Sequence, residues 1–250
     1  MTRHPKSTFP NTVKYPSKEA IVISEKQPKS ATTSPAAPKV GTRISMEKSA
    51  TEKVLFTQGE YEPQSTVNWH DVEMLALDVD GVLTDGGLTF DGNGGLYQRF
   101  HVRDGFALVS ARKKGLIVAW ISGRESAVAK KRFEELKLDP AYCILNCPDK
   151  AAALREIQQK NNLKPHQCCF IGDDIPDLAA FSVCGVKVAV RDGAPELKKI
   201  ASYITYANGG HGAVREVAEH ILKAKNQWSD VVSMFSGSGG DLPERGDLQR

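Results

Sequence analysis

The chain has 250 residues, of which 40% are apolar and 25% charged, and these fractions are typical of a globular protein of one or two domains. No stretch approaches the roughly 20 consecutive apolar residues of a membrane helix, so we expect no membrane attachment of that kind. The formal net charge of +3 divides into +6 over residues 1–50 and −3 over the rest, which argues against a nucleic-acid-binding body. Five cysteines, an odd number, indicate a reducing compartment, and we therefore expect a cytoplasmic location.

The N-terminal stretch differs in composition from the rest of the chain. Its first 50 residues contain thirteen serines or threonines and six prolines, with a single short apolar run at residues 21–23. A segment with so little apolar surface cannot offset the entropy cost of becoming ordered. We therefore expect a disordered basic tail over residues 1–70. A serine-rich transit peptide is the alternative, although two arginines are few for one.

From residue 73 onward, short apolar runs alternate with amphipathic segments. The apolar runs suit strands that are buried on both faces, and the turn residues at 91–95 between two extended segments predict a β-hairpin. Gly115 is placed to end the first helix. In chain order we predict strand 74–77, hairpin strands 88–90 and 96–102, helix 106–114, strand 116–121, helix 125–136, strand 142–145, helix 150–161, strand 168–171, helix 175–181, strand 186–190, helix 195–200 and helix 213–224.

This alternation predicts an α/β fold with a doubly wound, Rossmann-like parallel sheet and a hairpin inserted after the first strand. We place the domain at residues 71–225 and a polar C-terminal tail at residues 226–250. In such folds ligands bind at the carboxyl ends of the strands, so the chemistry is expected there.

Polar residues follow the predicted strands at these carboxyl ends. Asp78 and Asp80 come after the first strand, and Lys150 begins the helix after the third. Clustered carboxylates repel one another unless a cation compensates them, and Mg²⁺ prefers oxygen ligands of this type. A cation there attracts a phosphate, whose oxygens can be held by a hydroxyl, backbone amides and an ammonium. The other polar residues at these ends are Ser122, Gly123, Arg124, Asp173, Asp174 and Asp177.

Each of these motifs is weak when taken alone. An Asp-x-Asp sequence is common in loops, Ser-Gly is an ordinary turn, and aspartate at a helix start favours the helix dipole. A lysine at a helix start is usually solvated. Phosphoryl transfer is favoured because all four motifs occur in order, each just past an apolar strand or at the start of the next helix.

The same motifs resemble those of a known enzyme family. The haloacid dehalogenase (HAD)-like phosphatases have four motifs similar to DVDGVLTDG, ISGR, the lysine at a helix start and GDDIPD. More narrowly, residues 73–225 resemble the 3-deoxy-D-manno-octulosonate (KDO) 8-phosphate phosphatases. The segments that carry this resemblance are LALDVDGVLTDGGLTF, FHVRDGFAL, WISGRES, IGDDIPD and GGHGAVRE. The resemblance implies a HAD-like fold and a Mg²⁺-dependent phosphoric monoester hydrolase that acts on this sugar phosphate in lipopolysaccharide biosynthesis.

The resemblance also implies a role for each matching residue. Asp78 is the expected nucleophile, which forms an aspartyl-phosphate, and Asp80 is the expected general acid and base. The expected Mg²⁺ ligands are the carboxylates of Asp78 and Asp173 and the backbone carbonyl of Asp80. The remaining roles are phosphoryl binding by Ser122, Gly123 and Lys150, substrate binding by Arg103, Arg124 and His211, and support of the metal site by Asp174 and Asp177.

The spacing of the motifs leaves no room for a cap domain. Asp80 and Ser122 are 42 positions apart, and Lys150 and Asp173 are 23 positions apart. A neighbouring subunit can close such an open site, so we expect a homotetramer that pairs through the hairpin at 88–102. In relatives a glycine-rich segment reaches a neighbouring active site. Here that segment is residues 209–212, with His211 where many relatives have arginine.

Two other functions remain open at this point. The same chemistry on another nonulosonic acid phosphate, such as a sialic-acid-type 9-phosphate, fits the same motifs. A non-catalytic assembly module, of the kind attached to cytidylyl-sugar synthetases, is the alternative outside enzymes. The intact set of Asp78, Asp80, Lys150 and Asp173 favours an enzyme.

Overall fold

The computed structural model describes residues 67–236. Residues 1–66 of the tail expected over residues 1–70, and the last residues, 237–250, lie outside the described range. Within residues 67–236 the strands are β1 (Met74–Leu77), β2 (Thr89–Phe90), β3 (Leu96–Tyr97), β4 (Ile117–Ile121), β5 (Cys143–Ile144), β6 (Cys168–Gly172), β7 (Val186–Ala189) and β8 (Tyr203–Ile204). The α-helices are α1 (Val102–Lys113), α2 (Ala127–Glu135), α3 (Lys150–Lys160), α4 (Leu178–Phe181), α5 (Pro195–Lys198), α6 (Ala213–Ala224) and α7 (Trp228–Ser233).

Six strands form one parallel sheet in the order β5–β4–β1–β6–β7–β8, and β2 pairs with β3 in a separate antiparallel hairpin. From β1 the chain moves outward to β4 and β5, and it then returns to the other side of β1 as β6. The direction of winding therefore reverses beside β1, which is where doubly wound sheets bind their ligands. The predicted α/β fold with a hairpin after the first strand is confirmed.

The central strand β1 is buried on both faces, which explains its uninterrupted apolar sequence. Leu75 and Leu77 belong to the core that the sheet shares with α1, α2 and α6. Met74 and Ala76 belong to the opposite core, which is shared with α3 and α4. Because both faces are covered by apolar side chains, the polar groups of this layer are concentrated where the strand ends.

Helix α1 begins at Val102, four residues before the predicted start, and the second hairpin strand ends at Tyr97 rather than at residue 102. The start is fixed by His101, whose Nδ1 accepts a hydrogen bond from the Arg103 amide at 3.2 Å. Histidine is not among the usual N-cap residues, so the sequence carries no ordinary signal for this start. The predicted end at Gly115 is confirmed by its left-handed φ of +91°.

Regular packing extends past both predicted domain boundaries. Trp69 lies in a 3₁₀ turn and stacks on His220 of α6, with ring centroids 5.5 Å apart. Beyond residue 225, helix α7 packs on the domain and leaves Val231 only 4% exposed. The prediction of a polar tail from residue 226 is therefore wrong over α7. This helix of six residues has too few apolar positions to show a helical period.

No cap domain interrupts the described part of the chain, because the hairpin and α1 fill the interval between β1 and β4. Within residues 67–236, no helix combines the length and the apolar character needed to cross a bilayer. All five cysteines are free thiols, and Cys168 and Cys169 are buried in β6 as core residues.

Candidate active site

A buried chain of ion pairs lies at the carboxyl end of β1. Asp78 follows this strand directly and is 9% exposed, and Lys150 Nζ lies 2.9 Å from its Oδ2. The same ammonium lies 2.7 Å from Oδ1 of Asp177, which is 1% exposed. Lys150 is the first residue of α3, whose N-terminus is capped by the side chain of Asp149. One ammonium therefore joins the end of β1 to the turn after β6.

Asp177 organises the loop that follows β6. Its Oδ2 accepts hydrogen bonds from the Asp173 amide at 2.9 Å and the Asp174 amide at 3.4 Å. Gly172 gives the carboxylate room, because a Cβ at that position would collide with it. Since Oδ1 bonds to the lysine and Oδ2 to these amides, Asp177 shapes the site by holding its neighbours in place.

The Asp173 carboxylate lies against the backbone of Gly81, in the loop after β1. A Cβ at Gly81 would overlap this carboxylate, and the residue has a left-handed φ of +85°. Both features require glycine. The close contact brings the loops after β1 and β6 together at the point where the winding of the sheet reverses.

Burial and mutual repulsion shift the pKa values of the two facing carboxyl groups. Burial, followed by the charge of Asp177, raises the pKa of Asp78 to about 7, although Lys150 opposes this shift. Burial and the neighbouring carboxylates raise the pKa of Asp173 to about 8. Burial lowers the pKa of the Lys150 ammonium, but the charges of Asp78 and Asp177 outweigh this effect and the net pKa is raised. The site therefore has more carboxyl groups than its ammonium can neutralise.

These carboxylates fit the metal that the sequence predicts. Oxygen atoms of Asp78, Asp173 and Asp177 all lie within 4.8 Å of one another. A set of carboxylate oxygens suits a hard cation such as Mg²⁺, and its charge would offset the repulsion that raises both pKa values. Both oxygens of Asp177 have partners, and so do those of Asp78, which accept from the Val79 amide and from Lys150. The assignment of Asp78 and Asp173 as the metal-binding side chains stays a prediction.

Ser122 lies at the carboxyl end of β4 and is 3% exposed. Its backbone amide donates to the Ile144 carbonyl at 2.9 Å, and its own carbonyl accepts from the Cys147 amide at 2.9 Å. The hydroxyl oxygen accepts from the Arg124 amide at 3.3 Å, across an exposed Gly123. The SGR motif is thus a rigid turn on the same edge of the sheet as Asp78.

Asp80 is bonded to a residue that the sequence reasoning missed. Gln98, which follows hairpin strand β3, donates a hydrogen bond from Nε2 to Oδ1 of Asp80. The Gln98 Oε1 accepts from the hydroxyl of Ser126, the N-cap of α2, at 2.6 Å. A glutamine after a hairpin matches none of the recognised motifs. The one signal in the sequence was the predicted hairpin. It turns the chain back, so a residue 18 positions after Asp80 can lie beside it.

Comparisons with protein families, with individual proteins and with solved structures all match this chain to the same group of enzymes. A family model for haloacid dehalogenase-like hydrolases matches residues 148–217. The KDO 8-phosphate phosphatase of Haemophilus influenzae is 35% identical over 159 residues, which make up 64% of this chain and 87% of the relative. The crystal structure of the Moraxella catarrhalis KDO 8-phosphate phosphatase, in complex with magnesium ion, phosphate ion and KDO, matches with a TM-score of 0.65 at 36% identity. It covers 68% of this chain and 96% of that chain.

The chain belongs to the KDO 8-phosphate phosphatase family of HAD-like hydrolases. A cobalt-bound structure of the Haemophilus influenzae member matches with a TM-score of 0.62 at 33% identity, and it covers 68% of this chain and 95% of that chain. Members of this family have therefore been solved with two different divalent metals. The predicted HAD-like fold and family resemblance are confirmed.

The glycine-rich segment of this family member packs on its own chain. A Cβ at Gly209 would collide with the carbonyl oxygen of Gly81, and the Gly210 amide donates to the Val82 carbonyl at 2.8 Å. Residues 209 and 210 therefore lie against the loop after β1 of the same chain. The two glycines allow this packing because they lack the side chains that would keep the loops apart. The reach of this segment to a neighbouring active site stays a prediction.

The three predicted substrate-binding side chains do not contact the ion pairs of the site. Arg103 is exposed in the first turn of α1, and Arg124 is half-buried directly after the Ser122 turn. His211 is exposed, and its Nδ1 lies 2.7 Å from the Gly209 carbonyl oxygen. These positions leave all three roles as predictions.

Proposed function

We propose that this protein hydrolyses KDO 8-phosphate to KDO and phosphate through an aspartyl-phosphate, as a phosphoric monoester hydrolase of lipopolysaccharide biosynthesis. Family membership supports the substrate, and the solved Moraxella catarrhalis relative holds the product sugar and phosphate together. The observation that carries the chemistry is the buried contact between Lys150 and Asp78 at the carboxyl end of the central strand.

In the first step Asp78 attacks the phosphorus in line with the bond to the leaving sugar oxygen. Lys150, which already bonds to this carboxylate, is placed to draw the negative phosphoryl oxygens towards it. The Ser122 hydroxyl and the backbone amides of the turn at Gly123 are the other donors to the phosphoryl group. Since the ammonium and the serine are almost fully buried, their positions need little rearrangement when the substrate binds.

Asp80 serves as the acid and base. It gives a proton to the sugar oxygen as the bond to phosphorus breaks, and it takes a proton from the water that attacks the aspartyl-phosphate. Asp80 is two residues from the nucleophile, so one short loop positions both carboxylates. Gly81 provides the turn that this loop needs.

The residues that would hold Mg²⁺ are Asp78, Asp173 and the backbone carbonyl of Asp80, with Asp174 and Asp177 supporting the loop. When bound, the cation supplies positive charge that keeps the carboxylates ionised and lowers their repulsion from the phosphate. Asp78 can then act as a nucleophile at neutral pH, although burial raises its pKa to about 7 in the metal-free protein.

Recognition of the sugar acid is assigned to Arg103, Arg124 and His211, whose cationic or hydrogen-bonding side chains suit a carboxylate and hydroxyls. We further propose a cytoplasmic homotetramer in which the hairpin is an intersubunit contact. Three of the hairpin's apolar side chains support this, because they are exposed by 43% to 65%: Leu88, Phe90 and Tyr97. Apolar side chains at the edge of a two-stranded ribbon favour pairing with another copy.

The test is a phosphatase assay on the purified full chain. The substrates are KDO 8-phosphate, a sialic-acid-type 9-phosphate and a set of simple sugar phosphates, each with EDTA, Mg²⁺ or Ca²⁺. We expect the highest kcat/KM for KDO 8-phosphate with Mg²⁺, loss of activity in EDTA, and poor rescue by Ca²⁺, which takes more ligands at longer distances.

Each alternative has its own outcome in this assay. A higher kcat/KM for the sialic-acid-type phosphate would replace the substrate and keep the chemistry. Absence of Mg²⁺-dependent turnover on every substrate would favour the non-catalytic assembly module. Full activity after exhaustive removal of metal would contradict the role of the acidic cluster.

A further inference from the structure

A hydrogen-bonded relay connects the hairpin to the proposed acid and base. Gln98 is half-buried and lies one residue beyond strand β3. Its amide group touches Asp80 on one side and Ser126 on the other. The three residues come from the loop after β1, the end of the hairpin and the start of α2. The relay therefore joins three segments that are far apart in sequence.

The hydroxyl of Ser126 determines which way the Gln98 amide faces. As the N-cap of α2, Ser126 Oγ accepts a hydrogen bond from the Ala129 amide at 3.1 Å. Its single proton is then free to be donated to Gln98 Oε1, 2.6 Å away. With the amide oxygen on this side, the amide nitrogen faces Asp80 and can only donate. Ser126 is 3% exposed, so water cannot readily replace this contact.

We propose that Gln98 is a positioning residue that holds Asp80 with one defined oxygen available for proton transfer. Because Oδ1 accepts the hydrogen bond from Gln98, Oδ2 is the oxygen that carries the catalytic proton. The inference rests on the proposed role of Asp80, and it adds a residue that the recognised motifs do not include.

The proton balance of the two steps follows from this geometry. As the Asp78–phosphorus bond forms and the bond from phosphorus to the sugar oxygen breaks, the proton on Oδ2 moves to that oxygen and leaves Asp80 ionised. In the second step water attacks the phosphorus, the Asp78–phosphorus bond breaks, and a proton of that water returns to Oδ2. Gln98 gives up no proton in either step and keeps Oδ1 engaged throughout.

The relay predicts a dependence on the leaving group. An alkyl leaving group, as in a sugar phosphate, is a strong base and needs a proton as it departs. A 4-nitrophenolate leaving group is a weak base and departs without one. A residue that only orients the acid therefore matters for the first type of ester and much less for the second, whereas a residue needed for folding affects both types equally.

The experiment compares Gln98→Glu and Gln98→Met with the wild-type chain on KDO 8-phosphate and 4-nitrophenyl phosphate. Glutamate keeps the size of glutamine but replaces its donor with an acceptor, and methionine removes the polar group without adding charge. We expect kcat/KM for the sugar phosphate to fall about 10- to 100-fold, a part of the usual contribution of general acid catalysis. For the aryl phosphate we expect less than about a 3-fold change. The ratio kcat/KM is used because it reports the steps up to departure of the alcohol.

Two further variants keep the result interpretable. Gln159→Glu makes the same chemical change on the exposed surface of α3 and should alter neither rate. Ser126→Ala leaves the amide of Gln98 free to turn, so it should show the same selective loss in a weaker form. Melting temperatures identify any variant that fails to fold, and the second Gln98 variant then decides.

Equal losses on the two esters, or no loss on either, would overturn the proposal. A wild-type chain that does not hydrolyse KDO 8-phosphate with Mg²⁺ would instead contradict the proposed function itself. The two failures are therefore distinguishable in one set of assays.

Discussion

The site at the end of β1 and the hairpin that follows it are built in opposite ways. In the site, Asp78, Lys150 and Asp177 are at most 9% exposed, and each bonds to at least one of the others. In the hairpin, two strands of two residues each pair with one another, and Phe90 and Tyr97 are 65% and 61% exposed. The first region is fixed by the core of one chain, whereas the second presents apolar surface outward.

The two regions therefore differ in their expected roles, which are catalysis for the site and assembly for the hairpin. The groups assigned to bond making and breaking are held by the central sheet, so they belong to the folded single chain. The exposed apolar side chains of the hairpin are the ones that we propose for contacts between subunits. Through Gln98 the hairpin also contacts Asp80. We therefore expect changes in the site to abolish turnover, and changes in the hairpin to alter assembly and substrate binding.

The largest expected effect is that of Asp78→Asn. The variant keeps the shape of the side chain but removes the nucleophile, so kcat should fall at least about 10³-fold, as for loss of a group that acts within a catalytic unit. Its melting temperature should not fall, because the change removes a buried carboxyl group whose charge is unfavourable. Near-normal kcat in a folded variant would refute the assignment.

Removing the Lys150 ammonium should lower the stability of the folded chain. Lys150→Met leaves two buried carboxyl groups without their partner, and we expect the free energy of unfolding to fall by about 3–5 kcal/mol in urea titrations. The matched control is Arg99→Gln in the hairpin, which breaks an ion pair with Asp85 whose two side chains are 71% and 30% exposed. Exposed pairs contribute less than about 1 kcal/mol, so this variant should lose little stability. Similar losses in both variants would contradict the claim that the site is held by buried ion pairs and the hairpin is not.

The hairpin can be tested by making its apolar surface charged. Phe90→Asp with Tyr97→Asp should convert the expected tetramer to smaller species in light scattering, because charge disfavours burial at an interface. We expect kcat for 4-nitrophenyl phosphate to stay within about 3-fold, and KM for the sugar phosphate to rise about 10-fold. A wild-type chain that is monomeric and fully active on the sugar phosphate would contradict this assignment.

The predicted role of residues 209–212 in substrate binding is tested by a point substitution rather than by truncation. Truncation after Ala207 would remove α6, whose Val214, Val217 and Ile221 are fully buried in the core. Loss of activity in that variant would report unfolding. The exposed side chain at His211 is better examined alone, by His211→Ala and the KM for the sugar phosphate.

A smaller effect is expected from pH in the metal-free protein. Burial raises the pKa of Asp173 from 3.8 to about 8, so between these values the folded chain holds a proton that the unfolded chain releases. The stability contributed by this group is therefore present below about pH 4 and is lost as the pH rises towards 8. Mg²⁺ favours the ionised form, so it should raise the melting temperature by about 5 °C or more at pH 8 and by less at pH 5.5.

The control for this measurement is Asp173→Asn, in which the dependence of the Mg²⁺ effect on pH should largely disappear. An equal shift at both pH values in the unchanged chain would contradict the role of Asp173 as a ligand that must lose its proton to bind.

Much of the fold and the positions of the four motifs could be predicted from the sequence. Strand β1 is an unbroken apolar run, and helix α6 was predicted with its observed limits because its apolar residues recur with a clear helical period. Asp78 and Lys150 could be placed together because parallel strands bring their carboxyl ends to one edge.

Other features depend on contacts between distant segments and were missed for that reason. Gln98 has no chemical feature that distinguishes it from a surface glutamine until the hairpin folds back on Asp80. Strand β8 has two residues, too few to show any pattern. The glycines at 209–210 indicate an unusual backbone, but their packing on the loop after β1 is set by the tertiary structure alone.

The central claim is that Asp78 carries the phosphoryl group during turnover. It is tested most directly by quenching the reaction with acid during the first turnover, reducing the trapped acyl-phosphate with borohydride, and mapping the peptides by mass spectrometry. The measurement is made with 4-nitrophenyl phosphate, whose leaving group needs no proton, on the wild-type chain and on Asp80→Asn. In this variant the intermediate should still form, and its breakdown should be slowed. The account predicts conversion of residue 78 to homoserine in both proteins and in no chain carrying Asp78→Asn. Release of phosphate with residue 78 unmodified in both, or modification at another residue, would contradict it.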